Sequence, residues 1–300
     1  MFEQIDFPQL KGTALFRVLT KKRLAELLLT GEGQLKKLVA SDELYSSWTE
    51  TKKNGGTREI EAPYPHLKKV QKRVANLLQA IEAPDYLMAP VKNRSYVSNA
   101  AHHIGSRSYR LLDIEDFFPS CSERRVFWFF NTCMQCNEDV SAILAAICTR
   151  NGRLPQGSPC SPILAFFSYI DMWEEIAKIT KLSNNKLSIY ADDITISGDC
   201  ILGETVWLVK QALYKRGHTF NIKKERSLVN KPVEITGVIV TTDKLLLPNR
   251  QHEKLYKALT ERSVVRSSQT KAKLDQKIRG RVAQANQILK HNQVTRENLS

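Results

Sequence analysis

The sequence predicts an α+β fold in which helices surround an antiparallel sheet that carries acidic residues. Two observations point to the sheet: an acidic pair lies between two apolar segments, and another acid ends a third apolar segment. A third observation, helical periodicity among many Lys and Arg residues after Pro248, predicts a helical C-terminal part. With 300 residues, 42% of them hydrophobic, the chain can bury a sizeable core in one large domain or in two or three subdomains.

The acidic pair consists of Asp192 and Asp193. It lies between residues 186–190 and 194–197, which both have the composition of short strands, so we predict a hairpin with the pair at its tip. Adjacent carboxylates repel each other, and a bound divalent cation would remove the repulsion. Because hard oxygen ligands suit Mg²⁺, the hairpin tip is a candidate metal site.

A third carboxylate, Asp113, ends the apolar segment 109–114. If this segment is a strand beside the hairpin, Asp113 would complete a two-metal phosphoryl-transfer site. The alternative is that Asp113 caps a helix that starts near Ser120 or Ser122. The presence of the acidic hairpin favours the metal interpretation.

Residues 154–162 (Leu-Pro-Gln-Gly-Ser-Pro-Cys-Ser-Pro) predict a tight loop before a helix. Ser161 and Pro162 are typical of an N-cap and a first turn, and the apolar run from Ile163 to Ile176 predicts a largely buried helix. Backbone N–H groups at such a helix start can hold a nucleotide or a template base. A simple connector is the alternative.

The other elements follow from periodicity and turn signals. We predict helices in residues 1–45, a hairpin over 47–62 that turns at residues 54–56 (Asn-Gly-Gly), an amphipathic helix over 66–81, two helices within 126–148 with a break near 137–139, a helix over 202–216, and strands over 220–224 and within 226–242.

The formal net charge of +14 points to a polyanionic partner, and the acidic hairpin makes nucleic acid the simplest choice. A generically basic soluble protein is the alternative. No stretch reaches the roughly 18 apolar residues that span a bilayer, so no membrane partner is expected, and the N-terminus lacks the pattern of a signal peptide. The six cysteines are expected to be free thiols in a reducing cytoplasm.

Three of these segments together resemble the polymerase core of reverse transcriptases. Residues 113–118 (Asp-x-x-Asp-Phe-Phe), 154–162 and 190–193 (Tyr-Ala-Asp-Asp) are similar to its first, second and third catalytic motifs and follow in the same order. Each motif alone is a weak signal, whereas their conjunction in order is specific.

Two further segments are similar to motifs of retron reverse transcriptases. Residues 99–103 (Asn-Ala-Ala-His-His) resemble the N-A-x-x-H motif, and residues 235–237 (Ile-Thr-Gly) resemble the V-T-G motif with Ile in place of Val. A segment that starts at Lys53 resembles the fingers of bacterial reverse transcriptases. The resemblance covers roughly residues 47–281.

The resemblance implies a right-hand polymerase architecture, in which the antiparallel sheet of the palm carries the catalytic carboxylates. In this scheme the chain consists of an N-terminal helical region (1–45), fingers (46–108), a palm (109–242, with a finger insertion around 122–157) and a basic helical thumb (243–300).

The resemblance also implies nucleotidyl transfer with deoxynucleoside triphosphates as substrates and two Mg²⁺ ions as cofactors. Asp113 and Asp192 would bind both ions, Asp193 would be a helper acid, and the carbonyl of Ile114 would be a further ligand. Lys224 matches the lysine that is often proposed to protonate the pyrophosphate, with Lys223 as the alternative.

Nucleotide binding is implied for four residues. Phe118 would block a ribose 2′-hydroxyl and so select deoxynucleotides, with plain core packing as the alternative. Gln156 would contact the incoming nucleotide or the template backbone. Lys53 and Arg58 would hold the triphosphate through charge-assisted hydrogen bonds.

Recognition of a cognate noncoding RNA is implied for Asn99, His103, Thr236 and Gly237. For Asn99 and His103 a purely structural role is the alternative, since a His before a buried strand is often a satisfied polar residue. The basic C-terminal helices would hold an RNA stem by its shape and phosphates.

The retron resemblance implies that this RNA is both template and primer, through the 2′-hydroxyl of a guanosine. The product would be a short single-stranded DNA branched from RNA, and an effector protein encoded nearby would be a partner in anti-phage defence. Two rivals are another bacterial reverse transcriptase, diversity-generating or intron-derived, and a nucleic-acid-bound scaffold that restrains a toxic effector.

Overall fold

The computed structural model describes residues 7–41, 43–52 and 55–297 and has the predicted α+β fold. The α-helices are α1 (Lys21–Leu27), α2 (Glu32–Ala40), α3 (Pro65–Leu78), α4 (Tyr96–Ala101), α5 (Phe117–Ser120), α6 (Glu123–Trp128), α7 (Glu138–Cys148), α8 (Ser161–Phe167), α9 (Ile170–Leu182), α10 (Gly203–Lys215), α11 (Asn249–Val264) and α12 (Ser268–Glu297). The strands are β1 (Tyr45–Thr51), β2 (Thr57–Pro63), β3 (Leu87–Ala89), β4 (Ser108–Asp113), β5 (Lys186–Tyr190), β6 (Asp193–Gly198), β7 (Arg226–Val229), β8 (Val233–Ile235), β9 (Val238–Val240) and β10 (Leu245–Leu246). Within the described ranges, no helix is both long and apolar enough to cross a membrane.

The N-terminal hairpin is a separate two-stranded sheet of β1 and β2. Its register pairs Trp48 with Ile60 and Glu50 with Arg58, so the hairpin predicted over residues 47–62 is confirmed. Part of its turn, residues 53–54, lies outside the described residues. Helix α3 follows directly and turns its apolar face inward, as its periodicity predicts.

The central sheet has five strands in the order β3-β5-β6-β4-β7. All neighbours are antiparallel except β3 and β5, which run parallel. The predicted acidic hairpin is β5–β6, and the predicted strand that ends in Asp113 is β4, which lies beside β6. Both predictions are confirmed.

The two faces of this sheet contact different cores. Leu187, Ile189, Ile194 and Ile196 point from the β5–β6 hairpin into a large core that includes residues of α1–α3 and α6–α10. On the opposite face, Tyr109 of β4 contributes to a smaller cluster with residues of α4, β8–β10 and α12, which we name the second core.

The second core is built on a three-stranded sheet in the order β10-β9-β8. Thr236 and Gly237 form the two-residue turn between β8 and β9, and both have positive φ (46° and 85°), as a turn of this length favours. Helix α12 returns to this sheet, where Ile288 is buried and Asn292 binds the backbone of Leu245.

The apolar run from Ile163 to Ile176 forms two helices, so the prediction of one continuous helix is wrong. Helix α8 ends before Ser168, whose carbonyl accepts a hydrogen bond from Arg125 Nε (2.9 Å). Tyr169 packs its ring against the same guanidinium (4.9 Å from its centroid). Contacts from a distant part of the chain therefore interrupt the helix.

Two local predictions also need correction. The N-cap of α8 is Cys160, because the hydroxyl of Ser161 donates instead to the Pro155 carbonyl (2.8 Å). Residues 220–224 form a single bridge and a 3-10 turn (Ile222–Lys224), not a strand. The side chain of Asn221 accepts a hydrogen bond from the Lys223 amide (3.1 Å), a local contact that competes with strand pairing.

Candidate active site

Three carboxylates meet where β4 ends and β6 begins. Asp113 is the last residue of β4, Asp193 is the first residue of β6, and the two are direct cross-strand partners. Asp192 lies in the two-residue turn that precedes Asp193. Its carbonyl accepts a hydrogen bond from the Ile114 amide (2.9 Å), which joins the turn to the end of β4. The sheet thus brings together the three carboxylates that the sequence singled out.

The alternative role of Asp113 as a helix cap is wrong. The helix that starts in this region, α6, is capped by Ser122, whose hydroxyl accepts a hydrogen bond from the Arg125 amide (3.4 Å). The short helix α5 begins after Asp116, again without Asp113. The Asp113 carboxylate is instead directed toward a lysine.

That lysine is Lys224, on the 3-10 turn. Its Nζ lies 2.8 Å from Oδ1 and 2.7 Å from Oδ2 of Asp113. The Asn221 amide donates to the Asp113 carbonyl (2.8 Å) and fixes the turn against β4. Although burial alone would lower the pKa of Lys224, the hydrogen bonds with Asp113 and the neighbouring negative charges raise it, so the ammonium form is stabilised.

The two carboxyl groups of the hairpin tip resist ionisation. Removal from water, followed by repulsion from Asp192 and Asp113, raises the pKa of Asp193 to about 7. Removal from water and the charge of Asp113 also raise the pKa of Asp192. Near neutral pH this site therefore favours either a proton or an added cation.

A metal ligand set is not assembled in this arrangement. Among the described residues, no group of three or more His, Cys, Asp or Glu side chains is placed so that it could hold a metal ion. Both carboxylate oxygens of Asp113 are engaged by Lys224. The three carboxylates are neighbours in the sheet, but Asp113 is already hydrogen-bonded to Lys224.

The N-terminal hairpin brings a basic residue, Lys52, to this site, and the sequence analysis did not predict it. Lys52 Nζ lies 3.7 Å from Asp116 Oδ1. Burial raises the pKa of Asp192, and the positive charge of Lys52 opposes part of this rise. Lys53 lies outside the described residues. Arg58 pairs with Glu50 across the hairpin (2.7 Å).

The loop of residues 154–162 is fixed to strand β2. The Glu61 amide donates to the Gln156 carbonyl (2.8 Å), so the backbone of Gln156 is held while its side chain is half-exposed. Gly157 has φ +136°, and a Cβ there would lie 2.8 Å from the Glu61 carbonyl oxygen. Only glycine lets the loop approach the strand this closely.

A buried glutamine, Gln71 of α3, also holds this loop. Its Nε2 donates to Tyr45 Oη and to the Ile147 carbonyl (both 2.8 Å), and its Oε1 accepts from Ser158 Oγ (2.7 Å). Gln71 is fully buried, and its partners lie far away in the sequence. No local pattern marks such a residue as a support of the loop.

Phe118, in the short helix α5, is half-buried. Its ring centroid is 5.6 Å from that of Phe117, which is buried and packs edge-on against Trp173 (6.4 Å). One side of the Phe118 ring is therefore supported by the large core. This contact supports the packing alternative, and nucleotide selection by Phe118 stays a prediction.

Residues 51–240 match the family described as reverse transcriptase (RNA-dependent DNA polymerase), which is more than half of the chain. The chain belongs to the reverse transcriptase family. The polymerase fold predicted from the three catalytic motifs is thereby confirmed.

The relatives of this chain include retron reverse transcriptases. It is 36% identical over 151 residues to the retron Se72 reverse transcriptase of Salmonella heidelberg (strain 579083-10), an alignment that covers 50% of this chain and 40% of the relative. It is 28% identical to the retron Mx65 reverse transcriptase of Myxococcus xanthus (66% and 51% covered) and 26% identical to the retron Ec86 reverse transcriptase of Escherichia coli (73% and 70% covered). The resemblance to retron reverse transcriptases is confirmed, and the chain spans about half the length of the first two.

The residues predicted to recognise RNA lie together on the second-core side of the five-stranded sheet. Asn99 Nδ2 donates to Thr236 Oγ1 (3.1 Å), so the two retron-like motifs touch each other. Asn99 and His103 are buried, whereas Thr236 and Gly237 are half-buried. Both ring nitrogens of His103 are hydrogen-bonded to serines, which favours the structural alternative for this residue.

Proposed function

We propose that this chain is an RNA-directed DNA polymerase of the retron type. The observation that carries the proposal is the register of β4 and β6, which sets Asp113 directly opposite Asp193 with Asp192 in the adjoining turn. In a chain of the reverse transcriptase family, a primer hydroxyl would attack the α-phosphate of a deoxynucleoside triphosphate beside these carboxylates. Pyrophosphate would be the leaving group.

The chemistry of the three carboxylates, which are hard oxygen donors, suits a divalent metal cofactor, which we propose to be Mg²⁺ as two ions. To bind them, Asp113 would exchange its hydrogen bonds with Lys224 for a metal contact. Three carboxylates lie together, and burial with mutual repulsion raises the pKa values of Asp192 and Asp193, so an added cation would favour their ionised forms. Asp113, Asp192, Asp193 and the carbonyl of Ile114 would hold the ions. When bound, the ions would stabilise the attacking and leaving oxygens.

Lys224 has two parts in this proposal. Its ammonium group neutralises Asp113 in the metal-free site, where it bonds both carboxylate oxygens. Released from Asp113, it would hold the leaving pyrophosphate and donate a proton to it. Lys223 on the same turn is the alternative donor.

The nucleotide would lie between the carboxylates, the 154–162 loop and the N-terminal hairpin. Phe118 would exclude a 2′-hydroxyl, and Gln156 would contact the nucleotide or the template backbone. Lys53 and Arg58 would bind the triphosphate, with Arg58 exchanging Glu50 for a phosphate. Lys52, already 3.7 Å from Asp116, is a further candidate.

The retron part of the proposal concerns template, primer and partner. A cognate noncoding RNA would supply the template and a 2′-hydroxyl primer, giving a short single-stranded DNA branched from RNA. Asn99, Thr236 and Gly237 would shape the surface that recognises this RNA, and the basic helices α11 and α12 would hold its stem. His103, which the motif groups with them, is fully buried and would act behind this surface. The chain would act in anti-phage defence in the cytoplasm, together with an effector protein encoded nearby. The similarity to retron reverse transcriptases supports this part of the proposal.

The test is to express the chain with its native upstream DNA and to extract nucleic acid. We expect a short band that resists RNase, is degraded by DNase and shifts on debranching. The double variant Asp192→Ala, Asp193→Ala should abolish the band. The exposed carboxylate Asp243, outside the five-stranded sheet, gives the matched control Asp243→Ala, which should keep it.

The other outcomes separate the parts of the proposal. No band, but extension of a supplied primer on an RNA template, would overturn the self-primed retron function and leave a polymerase. No synthesis on either substrate would overturn the catalytic proposal. If the double variant still restrained a co-expressed effector, the chain would have a scaffold role that does not require catalysis.

A further inference from the structure

A buried polar strip runs along one face of the hairpin that carries Asp192 and Asp193. The register places Ser188 of β5 and Ser197 of β6 on the same face as Asp193. The two serines are 1% and 0% exposed. Buried hydroxyl groups destabilise a fold unless they are hydrogen-bonded, so this face of the hairpin requires a polar partner.

His103 is that partner. Its Nδ1 lies 2.7 Å from Ser197 Oγ, and its Nε2 lies 2.7 Å from Ser188 Oγ. The ring is fully buried, and burial holds its pKa well below the ordinary value, so the ring is neutral, with one nitrogen as donor and the other as acceptor. Ser106 Oγ extends the network at 2.9 Å from Ser197 Oγ. One side chain thus connects both strands of the hairpin.

The segment that holds His103 also holds the Thr236-Gly237 turn. Asn99 of α4 donates to Thr236 Oγ1 (3.1 Å), and this hydroxyl donates to the Tyr96 carbonyl (2.9 Å). At the start of α4, Ser95 Oγ accepts a hydrogen bond from Gln287 Nε2 of α12 (3.1 Å). Residues 95–103 therefore contact the carboxylate hairpin at one end, and the β8–β9 turn and α12 at the other.

We propose that His103 is a positioning residue for the carboxylate hairpin, and that Asn99 holds the Thr236-Gly237 turn to the same segment. The proposal rests on the polymerase function proposed above. If His103 positions the hairpin, loss of its side chain slows the reaction on any template. If His103 instead recognises RNA, its loss weakens only the reaction with the cognate RNA.

The expected effect follows from the network. Without the imidazole, Ser188 and Ser197 keep two buried hydroxyl groups with fewer partners, and the hairpin can shift against β4. A displacement of about 1 Å at reacting groups can lower a rate about 100-fold. Binding of RNA at the protein surface should change little, because His103 is fully buried.

The first experiment measures His103→Phe on a generic primer–template, oligo(dT) on poly(rA), with the cognate RNA beside it. We expect kcat to fall by about 10- to 100-fold on both substrates, with the KM for dTTP and the Kd for RNA within about 3-fold of the parent. His103→Gln, which can still bond one serine, should recover part of the loss. His66→Phe, at an exposed histidine of α3, is the matched control and should leave kcat unchanged.

The contrary results are clear-cut. An unchanged kcat on the generic template, with weaker binding of the cognate RNA, would assign His103 to RNA recognition and overturn the proposal. If His103→Phe fails to fold, Ser197→Ala carries the test with a smaller expected fall in kcat. An unchanged kcat in Ser197→Ala would likewise overturn it.

A second measurement does not depend on activity. Amide hydrogen exchange of peptides that cover residues 186–198 should become faster in His103→Phe, while exchange in β1 and β2 stays as in the parent. Unchanged exchange in the hairpin would overturn the positioning role. If the parent protein extends no primer, the polymerase proposal fails, and the exchange result still decides the role of His103.

Discussion

The large core and the second core cover opposite faces of the same sheet, yet they are built from different interactions. At the centre of the large core, Trp173 stacks on Phe166 and meets Phe117 edge-on, and all three rings are buried. The second core has fewer buried side chains and adds polar links, such as Asn99 to Thr236 and Asn292 to Leu245. One face of the carboxylate hairpin therefore rests on a continuous apolar body, and the other on an assembly that hydrogen bonds complete.

The difference indicates that the two regions respond differently to damage. Loss of a large-core side chain leaves a cavity in close-packed surroundings that support most of the chain. Loss of a second-core side chain weakens the attachment of a few elements, above all of α12. The following changes, from the largest expected effect to the smallest, test this contrast.

Trp173→Ala should have the largest effect, because its ring is fully buried in the large core. We expect a loss of about 3–5 kcal/mol in the free energy of unfolding, measured by denaturant titration. The control Trp207→Ala removes an exposed ring on α10 and should stay within about 0.5 kcal/mol of the parent. A loss below about 1 kcal/mol in Trp173→Ala would contradict the central place given to this core.

Ile288→Ala should act locally. The side chain attaches α12 to the second core, so its truncation should speed proteolysis within residues 268–297 while the main thermal transition moves little. The neighbouring Leu289→Ala is the matched control, since that side chain is 58% exposed. If Ile288→Ala lowered the main transition as much as Trp173→Ala, the two cores would be one cooperative unit.

Asp193→Asn should change how stability depends on pH. Because the pKa of Asp193 is raised to about 7, the folded protein keeps a proton that the unfolded chain has already released above about pH 4. Stability contributed by this proton is lost as pH rises toward 7, so the variant should gain stability over the parent at pH 8 and little at pH 4. Thermal melts in a chelator at the two pH values check this, with Asp243→Asn as control. An equal gain at both would contradict the assigned pKa.

Arg58→Ala should have the smallest effect on stability. Its ion pair with Glu50 is exposed on both sides, and such pairs contribute at most about 1 kcal/mol. If Arg58 binds the triphosphate as proposed, the KM for deoxynucleotides should nevertheless rise several-fold in steady-state assays. A clear loss of stability with an unchanged KM would assign Arg58 to the hairpin instead.

Local patterns in the sequence predict the parts of the site that neighbours along the chain determine. The apolar segments on both sides of Asp192 and Asp193 predict the β5–β6 hairpin, and the run before Asp113 predicts β4. The pairing of β4 with this hairpin followed from the hypothesis that Asp113 and the acidic pair belong to one site. The motif order then predicted the family, which the match over residues 51–240 confirms.

The parts that were not predicted depend on distant partners. Lys224 bonds Asp113, His103 bonds Ser188 and Ser197, and no spacing rule connects such positions. The break between α8 and α9 has the same origin, because Arg125 captures the carbonyl that would continue the helix. Asn221 turned an expected strand into a 3-10 turn by bonding its own neighbour. Tertiary contacts outweighed local propensity in the first three cases, whereas Asn221 acts through a local hydrogen bond that competes with strand pairing.

The contact between Asn292 and Leu245 has one more consequence. Strand β10 lies at the edge of its sheet, where unpaired backbone groups are a template for strands of other molecules. The Asn292 amide accepts from the Leu245 N–H and donates to the Leu245 carbonyl (both 2.9 Å), so it takes the place that a fourth strand would occupy. A single side chain near the end of α12 thereby fills the backbone sites through which Leu245 could pair with a strand of another molecule.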